Sequence, residues 1–244
     1  MPKITQLLFD CDNTLVLSEE LAFVACAALS NELLEAKGIS QRYTGPQLMS
    51  EFVGQNFRGV VVSLQKKYGF DLEPKELDDL VGQELGRVVA TLKEKAEPCE
   101  GVMPVLDKLY AEKKYGLAVV SSSALSRVQA SVDKVGQAKY FPPDHIFSAA
   151  TSLPVPTTKP DPAIYLHACK VIGKEPGECV AVEDSKSGAL SGIRAGIPVL
   201  GYVGSYEGEI KQKEMNALLK ELGVKVIMED WADFEKCLAE IEAL

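Results

Sequence analysis

Histidine and tryptophan are scarce in this chain: 244 residues contain two of the first and one of the second. The six cysteines, Cys11, Cys26, Cys99, Cys169, Cys179 and Cys237, are scattered, none at CxxC spacing and none with a histidine nearby. That pattern excludes a zinc site written in the sequence and predicts reduced, buried thiols. Cations are outnumbered, 26 Lys and Arg against 35 Asp and Glu, for a net charge of −9. Nucleic acid and anionic membrane surfaces are therefore not expected as partners, since both demand an excess of surface cations. The few aromatic residues form no base-stacking platform, and Trp231 is expected to pack against a sheet edge. Apolar runs such as Gly116 to Val120 fall far short of the roughly 20 residues that cross a bilayer. The opening residues, Met1 to Phe9, lack a basic region followed by a long apolar one and run into a core-strand pattern, so a cytoplasmic protein is expected. No repeat and no low-complexity tract is present. What remains is ordinary globular composition, 46% apolar and 25% charged, enough for one sizeable core and a smaller second lobe.

Hydrophobic patterning changes its period along the chain. Ile4 to Phe9 reads as a buried parallel strand that delivers acidic residues at its carboxyl end. From Ser18 to Lys37 apolar residues recur at helical spacing, with Ser18 as a cap and Gly38 as a stop. Helical patterning continues to about Glu97, with amphipathic segments at Phe57 to Tyr68 and Leu77 to Lys95. Helices and strands then alternate. Strands are predicted at Gly116 to Val120, His145 to Ser148, Cys179 to Val182 and Ile197 to Tyr202, with helices at Val102 to Lys113, Leu125 to Val135, Pro162 to Ile172 and Ser187 to Ala195. Such alternation means crossover units on a doubly wound parallel α/β sheet, with the helical block inserted after the first strand. The expected division is residues 1–15 with 97–244 as the core and 16–96 as a helical cap. Tyr206 to Leu244 reads as structural, with a helix around Leu218, Leu219 and Leu222, an outer strand at Val224 to Met228 and a final helix from Ala232 to Ile241.

Ligands on such sheets sit outside the carboxyl ends of the strands. The first strand ends in Asp10-Cys11-Asp12-Asn13-Thr14. Carboxylates two residues apart on an extended segment point the same way and repel by about 4 kcal/mol at ~4 Å, so a cation or a proton belongs between them. The second predicted core strand ends in Ser121-Ser122-Ser123, which offers hydroxyls and amides at a helix start. The third leads to Lys159-Pro160-Asp161-Pro162, where the prolines hold the lysine on a stiff segment. The fourth ends in Glu183-Asp184-Ser185. Alone, each has an ordinary explanation: an Asp-rich turn, a helix cap, a solvated loop lysine, an acidic helix start. Four strand ends carrying acids, hydroxyls, a lysine and acids again amount to a charge argument. Asp10, Glu183 and Asp184 balance Lys159 plus one divalent cation when Asp12 holds a proton. Oxygen-only ligands select Mg2+.

These four segments resemble the haloacid dehalogenase-like superfamily, in order: DCDNT at Asp10 to Thr14, VVSSS at Val119 to Ser123, TKPDP at Thr158 to Pro162, and EDS at Glu183 to Ser185. Asp161 to Leu166 and Gly188 to Pro198 are similar to the branch holding beta-phosphoglucomutases and sugar-phosphate phosphatases. The resemblance implies a Rossmann-like core with an inserted helical cap. It also implies a phosphoric monoester hydrolase, a Mg2+-dependent phosphatase working through an aspartyl phosphate. Asp10 would be the nucleophile and Asp12 the general acid and then base. Ser121, Ser122 and Lys159 would hold the phosphoryl oxygens. The metal would rest on Asp10, Asp12 through its backbone carbonyl, Glu183 and Asp184.

Departures from the pattern are Asn13, where many members have glycine, and Leu17, where many have a further aspartate. The histidine of the mutases falls on Ala22, and the mutase arginine falls nearest Phe57, with Arg58 one residue away. Hydrolysis is therefore favoured over a beta-phosphoglucomutase-like mutase, the alternative. A bacterial receiver domain also carries acids, hydroxyl and lysine at strand ends, but it lacks the second acid and the cap. The expected substrate is a small phosphorylated metabolite, a sugar, sugar acid or polyol phosphate. Glu19 and Asn56 are candidates for hydroxyl groups and Arg58 for an anionic group, within a polar loop that includes Gly54 and Gln55. A monomer or weak homodimer is expected.

Overall fold

The computed structural model describes residues 3–52 and 55–244. Two compact units emerge: Met1–Leu17 with Glu97–Leu244, and Ser18–Ala96. The first crossing, between Leu17 and Ser18, lies two residues past the boundary expected at residue 15, because a short antiparallel pair closes the first unit. Val16–Leu17 (β2) pairs with Glu97–Pro98 (β3), Val16 opposite Pro98. Two-residue strands carry no hydrophobic alternation, so no sequence pattern announces them.

The first unit is built on a parallel sheet of six strands: β1 (Gln6–Phe9), β4 (Gly116–Ser121), β5 (Ile146–Ser148), β6 (Cys179–Glu183), β7 (Val199–Tyr202) and β8 (Val226–Met228). Their order is β5-β4-β1-β6-β7-β8. The crossovers are α5 (Val102–Glu112), α6 (Leu125–Lys134), α7 (Ala163–Ile172), α8 (Lys186–Arg194) and α9 (Glu209–Glu221), and α10 (Phe234–Glu242) ends the chain. Strand β1 is buried along its whole length, as a central parallel strand covered on both faces must be. Register then does the positioning. Phe9 lies opposite Val119 on one side and Val182 on the other, so the residues that follow, Asp10, Val120 and Glu183, come to one level at the carboxyl end of the sheet.

The two faces of the sheet are packed differently. Leu8, Ala118, Val120 and Ala181 point to a face covered by Ile164, Tyr165 and Ala168 of α7 and by Ala189 of α8. On the other face the Phe9 ring meets Phe141, Trp231 and Phe234, with centroids 6.1 to 6.3 Å away. Trp231 is fully buried and also packs on Tyr202 at 5.4 Å. It therefore reaches the middle of the sheet, against the expectation of an edge contact, because a short 3-10 turn at Trp231–Asp233 folds the chain back under the strands. Aromatic pairs of this kind add about 0.5–1.5 kcal/mol each beyond the area they bury.

Among the described residues the second unit contains four helices, α1 (Glu19–Ala36), α2 (Gly45–Glu51), α3 (Phe57–Tyr68) and α4 (Pro74–Lys95). Leu29, Leu34, Leu48, Val61 and Leu64 are wholly enclosed among them. Gly38, at φ +72°, follows α1, in keeping with a stop there. Helix α2 is not expected from hydrophobic spacing, since it is short. It is set by its cap: the Thr44 hydroxyl accepts from the Gln47 amide while the Gln47 side chain accepts from the Thr44 amide. Helix α4 starts three residues earlier than its apolar pattern because Pro74 occupies the first turn and the Glu76 carboxylate accepts from the Glu73 amide at 3.0 Å. Among the described residues, no helix is long and apolar enough to cross a membrane.

Candidate active site

Four strand ends of the first unit converge on one buried ion pair. The Lys159 ammonium lies 2.6 Å from Asp10 Oδ1 and 2.6 Å from Glu183 Oε1, and donates to the Val120 carbonyl at 2.7 Å. It is held on an irregular segment, just before a cis Lys159–Pro160 peptide, where its backbone amide donates to Ser122 Oγ at 3.1 Å. The Asp161 side chain accepts from the Ala163 amide at 2.8 Å and so starts α7. Lys159, Asp10, Glu183 and Asp184 are all buried.

The serines after β4 are divided between two tasks. Ser123 Oγ donates to Asp12 Oδ2 at 2.7 Å, and Ser121 Oγ lies 3.3 Å from the same oxygen. The Ser123 amide in turn donates to Ser121 Oγ at 3.0 Å, and Ser148 Oγ donates to the Ser123 carbonyl at 2.7 Å. Ser122 faces the lysine segment instead. The turn that carries Asp12 also explains the departure at position 13. Asn13 has φ +58°, a left-handed conformation that glycine adopts freely and asparagine tolerates best among other residues.

Electrostatics follow from burial. Two carboxylates, Asp10 and Glu183, contact one ammonium. Burial, opposed by Lys159 and reinforced by Glu183 and Asp12, pushes the Asp10 carboxyl from 3.8 up to about 7. Burial alone would lower Lys159, but Asp10 and Glu183 outweigh it and hold the ammonium charged well above its ordinary range. Cys11, between the two acids, and Cys99, near Asp184 and Asp10, are both buried, and burial above all pushes both thiols up. All six cysteines are buried.

One oxygen from each of Asp10, Glu183 and Asp184 falls within 4.8 Å of the others. The set is oxygen-only and carries an excess of negative charge over Lys159. These residues fit a hard divalent cation.

Tyr165 and Gly188 belong to the same cluster and were not singled out by sequence reasoning. Tyr165 Oη donates to Glu183 Oε1 at 2.5 Å, and the ammonium of Lys159 stands 5.2 Å from the centre of its ring. The position in the first turn of α7, on the face shared with Ala168 and Cys169, was legible as core; the hydroxyl's partner was not.

The cap candidates all have roles inside the second unit. Asn56 caps α3, its side chain accepting from the Gly59 amide at 2.9 Å, and Arg58 is paired with Asp78 at 2.6 Å. Gln55 accepts from Ser63 at 2.9 Å, and Glu19 opens α1. Gly54 lies outside the described residues.

Residues 4–196 match a family described as haloacid dehalogenase-like hydrolase. The chain is 31% identical over 202 residues to 6-phosphogluconate phosphatase of Escherichia coli, covering 82% of each protein. It is 32% identical over 118 residues to hexitol phosphatase A of the same organism, covering 48% of this chain and 50% of the relative. Among solved structures, a hydrolase of Deinococcus radiodurans with bound phosphate and sodium superposes with a TM-score of 0.72 at 24% identity, covering 100% of this chain and 99% of that one.

Proposed function

The chain belongs to the haloacid dehalogenase-like hydrolase family and is an enzyme of its phosphatase kind, and from that premise we propose that it hydrolyses a small phosphorylated sugar, sugar acid or polyol through an aspartyl phosphate on Asp10. The observation that carries the reading is the contact of Lys159 Nζ with Asp10 Oδ1 at 2.6 Å, at the carboxyl end of the central strand. A buried nucleophile paired with a fixed cation is suited to attack on a phosphoryl group, whose transition state spreads negative charge over its oxygens.

In the proposed sequence an Asp10 oxygen bonds to phosphorus as the bond to the substrate's ester oxygen breaks, and Asp12 gives its proton to that leaving oxygen. Asp12 then removes a proton from water, which attacks the phosphorus of the acyl phosphate. Inorganic phosphate leaves and Asp10 is restored. Ser123 fixes the Asp12 carboxylate for both steps through its 2.7 Å bond. Ser121, Ser122 and Lys159 bind phosphoryl oxygens. Asp10, the Asp12 backbone carbonyl, Asp184 and Glu183 would hold Mg2+, which supplies charge neutralisation for the phosphoryl oxygens. The substrate class rests on the two Escherichia coli relatives, named for a phosphorylated sugar acid and for hexitol phosphates.

The test is release of inorganic phosphate from p-nitrophenyl phosphate, then from a panel of sugar, sugar-acid and polyol phosphates, with Mg2+ and with chelator. Turnover that requires Mg2+ and disappears in Asp10→Asn is expected. Full activity in Asp10→Asn would remove the aspartyl-phosphate mechanism, and activity confined to other phosphomonoesters would remove the substrate class.

A further inference from the structure

The buried phenol of Tyr165 has no place in the chemistry above, yet it meets the group that holds the catalytic lysine. Glu183 Oε1 receives two donors, the Lys159 ammonium at 2.6 Å and the Tyr165 hydroxyl at 2.5 Å. Both Glu183 and Tyr165 are completely buried, so neither exchanges these bonds for water. The opposite side of the carboxylate is just as constrained. A Cβ at position 188 would overlap the Glu183 carboxylate, so only glycine leaves room for it above the first turn of α8. Glu183 is thus fixed from one side by a hydroxyl and from the other by a backbone without a side chain. The lysine it holds has its remaining named bonds on Asp10 and the Val120 carbonyl.

We propose that Tyr165 is a positioning residue for the phosphoryl-transfer site: by clamping Glu183 against Gly188 it sets where the Lys159 ammonium stands. The inference rests on the phosphatase reading for its kinetic consequence, and on geometry alone for its structural one. Tyr165 touches neither the phosphoryl group nor Asp10 in this scheme. A hydrogen bond from a hydroxyl to a carboxylate is among the stronger kinds, and a displacement of about 1 Å at a reacting centre can cost ~100-fold in rate. Removing the phenolic oxygen leaves the ring's packing in place and lets the carboxylate and its lysine drift together.

The experiment compares the full-length protein with Tyr165→Phe and Gly188→Ala, the second pressing on Glu183 from the opposite side. Titration calorimetry with inorganic phosphate is run beside steady-state kinetics on p-nitrophenyl phosphate, well below the melting temperature of each protein. The expected result is about tenfold weaker phosphate binding and at least a tenfold lower kcat/KM in Tyr165→Phe, with the same direction in Gly188→Ala. Should Tyr165→Phe not fold, Gly188→Ala decides by the same two readouts. Phosphate affinity and kcat/KM within twofold of wild type, with only the melting temperature lowered, would make Tyr165 a packing residue and overturn the proposal. A wild type that binds phosphate but turns over no substrate defeats the phosphatase reading and leaves the affinity comparison to judge Tyr165. A wild type that binds no phosphate overturns both.

Discussion

Asp10→Asn should make the metal-free protein more stable while abolishing its turnover. The Asp10 carboxyl, ordinarily at 3.8, is pushed up to about 7, first by burial and then by Glu183 and Asp12, with Lys159 opposing. The folded protein therefore holds this proton more tightly than the unfolded chain does. The stabilising contribution is complete below the unfolded value of 3.8 and is lost as pH rises through the folded value of about 7. Above that, keeping the charged carboxylate buried costs roughly 4 kcal/mol. Between about pH 5.5 and about pH 8 the wild type should lose ~2 kcal/mol of stability from this group. Asparagine keeps the shape without the charge and leaves Lys159 paired with Glu183, so the variant should have a flatter profile and unfold later at the alkaline end. The assay is urea unfolding in chelator, followed by fluorescence of Trp231, the single tryptophan, which reports on the sheet-bearing unit. Parallel pH profiles, or a variant less stable than wild type at pH ~8, would refute the reasoning that burial of charge dominates at this site.

Three other outcomes follow from the same geometry. Lys159→Met leaves Asp10 and Glu183 buried without their cation; stability near neutral pH should fall by about 3–5 kcal/mol in urea unfolding, with no measurable turnover. Ser123→Ala removes the 2.7 Å donor to Asp12, and kcat should drop by roughly 10- to 100-fold with KM little changed, as seen in steady-state kinetics. Arg58→Ala breaks an ion pair that is about half exposed, so stability should change by less than ~1 kcal/mol; a raised KM for the preferred substrate is expected, and an unaltered KM takes Arg58 out of the substrate-binding set.

The order of strands and helices after Gly101 was legible because each element carries its own period and its own punctuation. Gly116 to Ser121 is an unbroken apolar run until its last residue, and the residue after α7 is Gly173, at φ +75°. Strand ends were legible too, since Asp10, Ser121 and Glu183 directly follow predicted strands and Lys159 sits on the proline-rich segment beyond the third. The pair Val16–Leu17 and Glu97–Pro98 was not, because strands of two residues have no period. Trp231 was misplaced toward an edge for a related reason: a 3-10 turn of three residues carries no signal of where it will fold. Asn56 and Arg58 read as binding residues by type, while their roles as a helix cap and as the partner of Asp78 were not legible, because those partners are set by the packing of the second unit.

By itself the amino-acid order determined the parallel sheet, the helical block after its first strand and the set of acids, hydroxyls and lysine at the strand ends, because local periodicity and side-chain chemistry act over a few residues. Only the tertiary structure decided which of those groups share atoms. Lys159 stands between Asp10 and Glu183, Ser123 holds Asp12, and Tyr165 and Gly188 enclose Glu183. These partners lie 18 to 149 residues apart where a bond joins them. Strand register, which is set by the packing of both sheet faces, brings them to one level, and no local pattern records it.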